Sequence, residues 1–263
     1  MRADKFFAEK FSSRTKASEA LKKGLILRSG KPLSPKDEVS EEDEFCFLSP
    51  EEEFVSNGGF KLARALEVFQ ESVEGGVFAD LGASTGGFCD CLLKHNAAHV
   101  YCVDVGESQL DVNLREDKRV TMMDNTNARF LEPEHFPQTL DGVTADLSFI
   151  SLKLVLPAIK RILPAGGRAF LLFKPQFECG REGLKKGGIC PVKLHGKLLS
   201  DFYDFALLHS LAPKNIVNAP LREKKNVEYM IFLSSEGAPI EKWDFLKRAE
   251  KLYEENIYSQ NHA

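Results

Sequence analysis

The sequence predicts an α/β protein whose larger domain is a mostly parallel β-sheet with helices on both faces. From residue 60 onward, short apolar segments alternate with helical segments, and this alternation is typical of a covered parallel sheet. The last two apolar segments, 216–221 and 227–233, are close enough in the chain to pair as an antiparallel hairpin. We therefore expect a seven-stranded sheet that ends in this hairpin.

The other elements of this domain follow from the same pattern. Apolar runs bounded by turn residues predict five further strands, at residues 77–83, 99–105, 119–124, 141–147 and 167–173. Helical spacing predicts helices at residues 86–95, 107–115, 151–162 and 192–211, and an amphipathic packing helix at 241–257.

The first fifty residues predict a small separate α+β module. A phenylalanine stripe indicates a short first helix, and residues 14–24 predict a second helix that stops at Gly24. Short strands are expected at 25–27 and 44–48. The chain is therefore divided into a module at 1–50, a linker at 51–59 and the main domain at 60–263.

Charge is distributed unevenly along the chain. Residues 1–36 contain ten Lys and Arg against three acids, whereas residues 37–53 contain nine acids and no base, within a net charge of -4. A basic block of this size points to a polyanionic partner. The alternative is a solvated helix face.

Composition bounds the class of protein. The apolar fraction of 43% and charged fraction of 28% are typical of soluble globular proteins, and no apolar run reaches the roughly 20 residues of a membrane helix. The N-terminus does not resemble a secretory signal, and the six cysteines lack the spacing of a disulfide framework or a metal site. We expect a cytoplasmic protein with no bound metal, no membrane contact and no obligate protein partner.

A glycine-rich segment, DLGASTGGF, follows the first strand of the main domain and predicts a ligand site. Its spacing, G-x-x-x-G-G, differs from the G-x-G-x-x-G that places a pyrophosphate at a helix N-terminus. Because an aspartate precedes it, the loop suits the cationic sulfonium and ammonium groups of S-adenosylmethionine. A dinucleotide site and a purely structural turn are the alternatives. The candidate cofactor-binding residues here are Asp80, Gly82, Ser84, Thr85, Gly86, Gly87 and Phe88.

Two further aspartates are expected at the same site. Asp104 ends the second strand, 22 residues after Gly82, where a carboxylate can accept both ribose hydroxyls. Asp124 ends the third strand and is placed to meet the adenine amino group. A Rossmann-like class I methyltransferase domain is the fold that these positions predict.

Four charged residues are candidates for catalysis. Asp146 and Lys174 end the fourth and fifth strands, so they should meet at one edge of the sheet. Lys61 is expected just before the first helix of the main domain, and Glu228 opens the last strand. A lysine between two carboxylates is suited to orienting or deprotonating a hydroxyl group that receives a methyl group. A surface ion pair is the alternative for each residue taken singly.

Several strings resemble those of a known family, and they span residues 2 to 233. FKL around Lys61, ADLSFIS around Asp146 and FKPQFECGR around Lys174 resemble the heat-shock type of RNA 2′-O-methyltransferase, which has a Lys-Asp-Lys-Glu tetrad. With SRTKA, NTNAR and the basic N-terminal module, the whole chain resembles the hemolysin-A/TlyA family. It departs from that family's pattern in LRSGKPL and in LREKKNVE, the segment before Glu228.

The resemblance implies an N-terminal RNA-binding domain similar to that of ribosomal protein S-four. It also implies that the substrate is ribosomal RNA or a ribosomal subunit, methylated on the 2′-hydroxyl of a cytidine. Basic residues of the module and of the glycine-rich segment 178–190, which is expected to be mobile and to close on RNA, are the candidate RNA contacts. They are Arg2, Lys5, Arg14, Lys16, Lys22, Lys23, Arg181, Lys185 and Lys186.

Three other functions remain open at this point. A base methyltransferase that acts on C5 would need a nucleophilic cysteine, for which Cys179 and Cys190 are available, and one that acts on an amino group would more typically show an Asn-Pro-Pro-Tyr-like motif. A haemolysin would need a membrane-inserting element and an export signal. An RNA-binding protein with an inactive catalytic domain is the third alternative.

Overall fold

The structure is a computed structural model that describes residues 1–11, 13–22, 24–47, 54–107, 109–185, 187–219 and 226–261. At 181 and 253–261 it describes the backbone. The described residues do not include Lys23, Lys186 or the predicted module boundary at residue 50. They also do not include the last residues of the strands predicted at 44–48 and 216–221. The described chain forms two compact units, one containing residues 1–47 and the other containing 54–219 and 226–255.

The N-terminal unit contains two helices and a small antiparallel sheet. Its elements are α1 (Ala3–Phe6), α2 (Arg14–Lys22), β1 (Ile26–Arg28), β2 (Lys31–Pro32) and β3 (Phe45–Phe47). The sheet order is β2-β1-β3, and both pairings are antiparallel. This is the small α+β arrangement that the sequence predicts for this region.

The larger unit contains a seven-stranded sheet. Its strands are β4 (Val77–Leu81), β5 (His99–Val103), β6 (Val120–Met123), β7 (Gly142–Ala145), β8 (Arg168–Phe173), β9 (Ala212–Asn218) and β10 (Tyr229–Ser234). Their order is β6-β5-β4-β7-β8-β10-β9; the first five are parallel, and β10 is antiparallel to both of its neighbours. The predicted fold class is confirmed. Because the strand order reverses beside β4, the carboxyl ends of β4 and β7 border the crevice where ligands bind in such sheets.

The helices of this unit are α3 (Asn57–Phe69), α4 (Gly87–Lys94), α5 (Val112–Glu116), α6 (Leu156–Ile162), α7 (Pro175–Glu178), α8 (His195–Leu208) and α9 (Lys242–Asn261). The helix predicted at 107–115 begins later, because Asp111 caps α5 through a hydrogen bond from the amide of Asn113. The helix predicted at 151–162 is divided into a 3₁₀ turn at Leu152–Leu154 and α6. No helix among the described residues is long and apolar enough to cross a bilayer.

The start of α3 corrects the predicted linker and the predicted position of Lys61. Residues 57–59 are helical, so Lys61 lies in the second turn of α3 rather than before it. Ser56 caps the helix by accepting a hydrogen bond from the amide of Gly58. A glycine is needed at position 59 for close packing, since a Cβ there would lie 2.1 Å from Cγ of Phe54.

Stacked aromatic rings fix α3 on the sheet. Phe232 of β10 lies between Phe170 of β8, 5.1 Å away between ring centroids, and Phe69 of α3, 5.9 Å away. Phe170 is fully buried and Phe232 is 8% exposed. Burial of such rings contributes about 2–3 kcal/mol each, so the helix that carries Lys61 is held firmly against the strands that precede and follow the other candidate catalytic residues.

Candidate active site

The four candidate catalytic residues form one connected group. The Lys174 ammonium lies 2.6 Å from Oδ1 of Asp146, and the Lys61 ammonium lies 3.9 Å from Oδ2 of the same carboxylate. Lys61 also donates a hydrogen bond of 2.8 Å to Oε2 of Glu228. The structure thus brings together the four residues that the sequence analysis selected, one on α3 and three beside the ends of β7, β8 and β10.

Strand register explains why these side chains meet. β7 and β8 are parallel neighbours, so Asp146 and Lys174 emerge from the same edge of the sheet. The antiparallel pairing of Phe173 with Tyr229 then places Glu228 beside Lys174, although Glu228 precedes its strand. A parallel final strand would have left Glu228 at the opposite edge.

The group is largely shielded from solvent. Exposure of the side chains is 9% for Lys174, 19% for Lys61, 24% for Asp146 and 18% for Glu228. Two ammonium groups alternate with two carboxylates, so the charges compensate within the group. Partial burial means that salt screens these pairs less than it screens exposed ion pairs.

The glycine loop faces the same cleft as Asp146 and Lys174. This cleft has a volume of about 180 Å³. Its lining is Ser56, Gly58, Asp80, Gly82, Ala83, Ser84, Thr85, Gly87, Phe88, Asp146, Ser148 and Lys174. Gly82 has a φ of 78°, and a Cβ there would lie 2.9 Å from the backbone oxygen of Asp146. A glycine at this position therefore lets the loop approach the catalytic strand end closely.

Asp104 is fixed at the side of this loop. Its two carboxylate oxygens accept hydrogen bonds from the amides of Ser84, at 2.8 Å, and Gly106, at 2.7 Å. Each oxygen keeps a further lone pair, so the carboxylate is oriented and still able to accept ribose hydroxyls. Asp104 and Asp124 lie outside the lining of the cleft itself. They follow β5 and β6, beside the glycine loop.

Asp80 is more deeply built into the fold than the sequence suggests. It is 1% exposed, and its oxygens accept hydrogen bonds from the hydroxyl of Thr144 and the amide of Cys89. Burial, with smaller contributions from the nearby carboxylates of Asp146 and Asp104, raises the pKa of Asp80 to about 7. No Lys or Arg of the described residues forms an ion pair with it. Asp80 lines the cleft, so in its ionised form it fits a cationic ligand such as S-adenosylmethionine.

Three residues near the tetrad escaped the sequence analysis. Ser148 accepts a hydrogen bond of 3.0 Å from Lys174, and Gln176 donates one of 3.0 Å to Glu228. Phe149 is 91% exposed, has a φ of 64° and lies 5.2 Å from the Phe177 ring. The strings ADLSFIS and FKPQFE contain all of these residues, so the positions beside Asp146 and Lys174 were the available signal.

The candidate RNA-contacting residues of the N-terminal unit divide into two kinds. Lys5, Lys16 and Lys22 are exposed. Arg2 and Arg14 both bind the buried carboxylate of Asp4, at 2.8 and 2.9 Å. The hydrogen bond from Arg2, followed by those from Arg14, lowers the pKa of Asp4 to about 2. The two arginines therefore stabilise the unit in addition to any contact with RNA.

The segment 178–190 contains more structure than its glycine content predicts. It begins at the end of α7, contains a 3₁₀ turn at Arg181–Gly183, and forms a bridge between Lys185 and Ile189. Asn226 holds its end by accepting a hydrogen bond from the amide of Cys190 and donating one to the carbonyl of Gly188. Lys185 is exposed. Its closure on RNA remains a prediction.

Of the two cysteines of this segment, Cys190 does not have the chemistry of a nucleophile. Cys190 is 2% exposed, and burial together with the neighbouring Cys179 raises the pKa of its thiol to about 12. The Cys179 thiol contacts the carbonyl of Gly180. Since the thiolate is the reactive form, Cys190 is unsuited to attack on C5 of a base. No group of three or more metal-ligating side chains occurs among the described residues.

The sheet with its antiparallel final hairpin, the glycine loop after β4 and the acid after β5 together define the class of S-adenosylmethionine-dependent methyltransferases. Residues 54–235 match the FtsJ-like methyltransferase family. The chain belongs to this family, in its hemolysin-A/TlyA branch.

Relatives are similar over much of the chain. The 16S/23S rRNA (cytidine-2′-O)-methyltransferase TlyA of Mycobacterium tuberculosis is 42% identical over 67% of this chain and 67% of its own length. The 23S rRNA (cytidine-2′-O)-methyltransferase TlyA of Campylobacter jejuni is 31% identical over 88% of this chain and 98% of its own. A solved structure of a hemolysin-named protein from Streptococcus thermophilus is 34% identical, covers 98% of both chains and has a TM-score of 0.72.

Proposed function

We propose that this methyltransferase transfers a methyl group from S-adenosylmethionine to the 2′-hydroxyl of a cytidine in ribosomal RNA. The observation that carries the proposal is the Lys61–Asp146–Lys174–Glu228 group at the cleft shared with the glycine loop. Relatives named as rRNA cytidine-2′-O-methyltransferases support the choice of substrate.

The chemistry of the site favours a hydroxyl over a base. A hydroxyl must be held in line with the methyl group and must lose its proton, which is a task for a positioned lysine and carboxylate. Lys174 is held by Asp146 and Ser148, so its ammonium is fixed in direction before substrate binds. Methylation at C5 of a base requires a thiolate nucleophile. Burial raises the pKa of Cys190 to about 12, so Cys190 is unsuited to that role.

S-adenosylmethionine supplies an electrophilic methyl group when it is bound. The glycine loop leaves room for its amino-acid portion, Asp104 orients the ribose, and Asp124 meets the adenine. As the ammonium, Lys174 positions the attacking hydroxyl, and the Asp146 carboxylate compensates its charge. As the neutral amine, it would accept the proton that the hydroxyl loses. Lys61 and Glu228 hold the Asp146 carboxylate and the surrounding side chains in place.

The exposed ring of Phe149 supports a nucleotide substrate. A large aromatic side chain that is 91% exposed on a strained backbone, three residues after Asp146, costs free energy in the unbound protein. Unstacked bases bind to such rings in RNA recognition. Phe149 and Phe177 therefore offer a stacking surface beside the reacting hydroxyl.

The N-terminal unit is proposed to be the S-four-like RNA-binding domain, and residues from 54 onward the catalytic domain. Exposed Lys5, Lys16 and Lys22 are suited to phosphate contacts, which position an RNA without reading its sequence. Ribosomal RNA or a ribosomal subunit is the proposed partner. Because that substrate is made and assembled in the cytoplasm, the enzyme is proposed to act there.

The test combines mapping with a single-residue change. Mass spectrometry of ribosomal RNA should find a 2′-O-methylcytidine that disappears when the gene is inactivated and returns with the wild-type gene. Lys174→Met keeps most of the stem volume and removes the ammonium, so the single-turnover rate should fall by about 10²-fold or more while S-adenosylmethionine and RNA still bind.

A matched control is Lys160→Met, on α6 away from the cleft, which should leave the rate unchanged. Near-normal transfer by a folded Lys174→Met protein would remove Lys174 from the mechanism. Loss of a base methyl group, instead of a ribose methyl group, on gene inactivation would overturn the proposed reaction.

A further inference from the structure

Glu228 is held from two sides by different elements. Its Oε2 accepts a hydrogen bond from Lys61 of α3 at 2.8 Å, and its Oε1 accepts one from the side-chain amide of Gln176 at 3.0 Å. Both oxygens of this carboxylate are therefore engaged. These two contacts fix the position of Glu228 within the group.

Gln176 belongs to α7, the single helical turn that follows Lys174. Pro175 begins this turn, and the amide of Phe177 donates a hydrogen bond of 2.9 Å to the carbonyl of Lys174. The geometry of α7 therefore sets the distance between the backbone of Lys174 and the side-chain amide that reaches Glu228.

The far end of α7 is fixed by Glu178. This carboxylate accepts hydrogen bonds from the hydroxyl of Ser151 and the amide of Leu152, the segment that follows Asp146. Burial raises the pKa of Glu178, while these two hydrogen bonds act in the opposite direction. α7 thus connects the segment after β7 to the residue before β10, across Lys174.

The orientation of the Gln176 amide is determined by Glu228. Its Oε1 is buried and accepts no hydrogen bond within the described residues. A buried carbonyl oxygen without a partner is unfavourable. It is tolerated here because the opposite orientation would place this oxygen against the Glu228 carboxylate and lose a charge-assisted hydrogen bond. The Gln176 side chain is therefore oriented so that its amide donates to Glu228.

We propose that Gln176 is a positioning residue for methyl transfer, acting through Glu228 and Lys61 on Asp146 and Lys174. This inference rests on the proposed function, because it assumes that the four charged residues carry the transfer step. Gln176 fixes the Glu228 carboxylate, Glu228 fixes the Lys61 ammonium, and Lys61 lies 3.9 Å from the carboxylate that pairs with Lys174. It does not contact the substrate.

The first experiment measures transfer by Gln176→Leu, which keeps the volume and removes the donor. We expect the single-turnover rate to fall about tenfold or more, as expected for loss of a hydrogen bond to a charged group. Calorimetric affinity for S-adenosylmethionine and the melting temperature should stay close to those of the wild type. Gln138→Leu, an exposed glutamine before the amino end of β7, is the matched control and should behave as the wild type.

A double-mutant cycle with Glu228→Ala distinguishes positioning from general structural support. If Gln176 acts through Glu228, the double variant should be no slower than Glu228→Ala, so the two effects are not additive.

Gln176→Glu provides a second variant of nearly the same shape. Its carboxyl repels Glu228 when ionised and donates when protonated, so its rate relative to the wild type should rise as the pH falls. Glu228 is the charged group that Gln176 contacts, and Glu228 is connected in turn to Lys61, Asp146 and Lys174.

Additive effects in the cycle, or wild-type rates for Gln176→Leu, would overturn this inference. Failure of the proposed function gives a different result, since the wild-type protein would then methylate no ribose hydroxyl. The two failures are therefore distinguishable in the same assay.

Discussion

At the scale of single residues, the acids around the cleft have different surroundings and different tasks. Asp104 is held by two backbone amides, with lone pairs left for a ligand, whereas Asp80 is buried with both oxygens bound by the protein. Asp146 is paired with Lys174. The surroundings of the three carboxylates therefore differ, and we propose that Asp104 orients the cofactor and that Asp146 takes part in catalysis.

Asp104→Ala should weaken binding of S-adenosylmethionine. The ribose would lose a charge-assisted acceptor that contributes about 1.5–3 kcal/mol, which corresponds to roughly 10-fold to 150-fold in affinity. Isothermal titration calorimetry on the folded variant measures the effect. Asp117→Ala is the control, because Asp117 pairs with Arg119 before the amino end of β6, at the opposite edge of the sheet. An unchanged affinity for Asp104→Ala would exclude Asp104 from the site.

At the scale of elements, α2 contains residues proposed to bind RNA and a residue that stabilises the N-terminal unit. Its buried face is formed by Ala17, Ala20 and Leu21, and Lys16 and Lys22 are exposed. Arg14, at its first turn, binds Asp4 of α1. The charge run in the sequence gave no sign of this difference, because a salt bridge between two helices depends on their packing.

Lys16→Gln together with Lys22→Gln should weaken RNA binding and flatten its dependence on salt. Each lost phosphate contact lowers the slope of log K against log salt concentration by about one unit, so a change of about two is expected. Filter binding or fluorescence anisotropy at several salt concentrations measures the slope. A slope equal to that of the wild type would mean that this face of α2 is solvated surface.

Arg14→Gln serves as the contrasting variant in that experiment. It removes a partner of Asp4, so it should lower the melting temperature, whereas the two lysine changes should not. Cofactor affinity should be unchanged in both variants, since none of these residues lines the cleft.

At the scale of the whole molecule, buried Asp80 couples stability to pH. Its pKa is about 7 in the folded protein, raised chiefly by burial, and near the ordinary value of 3.8 when the chain unfolds. The folded state therefore retains a proton that the unfolded state has lost between these pH values. Stability from this group is fully present below about 4 and is lost as the pH rises through about 7.

Asp80→Asn should remove this part of the pH dependence. Its amide can accept from the amide of Cys89 and donate to Thr144, so the contacts of the wild type are preserved. Between pH 4 and 7, the free energy of unfolding of the wild type should fall relative to the variant, by at most about 1.4 kcal/mol per pH unit. Urea denaturation across this range measures the difference. Parallel curves would show that Asp80 does not hold the proton; Asp4, whose pKa is about 2, titrates below this range.

The sequence by itself determined the main features of the fold and the composition of the site. Alternation of apolar strands and helices predicts the parallel sheet, since few other arrangements bury such strands on both faces. The glycine loop and the residues at strand ends could be assigned because parallel strands share one edge, so Asp146 and Lys174 had to be neighbours.

Only the tertiary structure decided which contacts each side chain makes. The start of α3 at Asn57 involves a cap by Ser56 and close packing of Gly59 against Phe54, neither of which the sequence analysis predicted. The roles of Arg14 and Gln176 depended on partners ten and fifty-two residues away in the chain. Local patterns report propensity and periodicity, whereas hydrogen bonds between distant segments exist only once packing has brought their elements together.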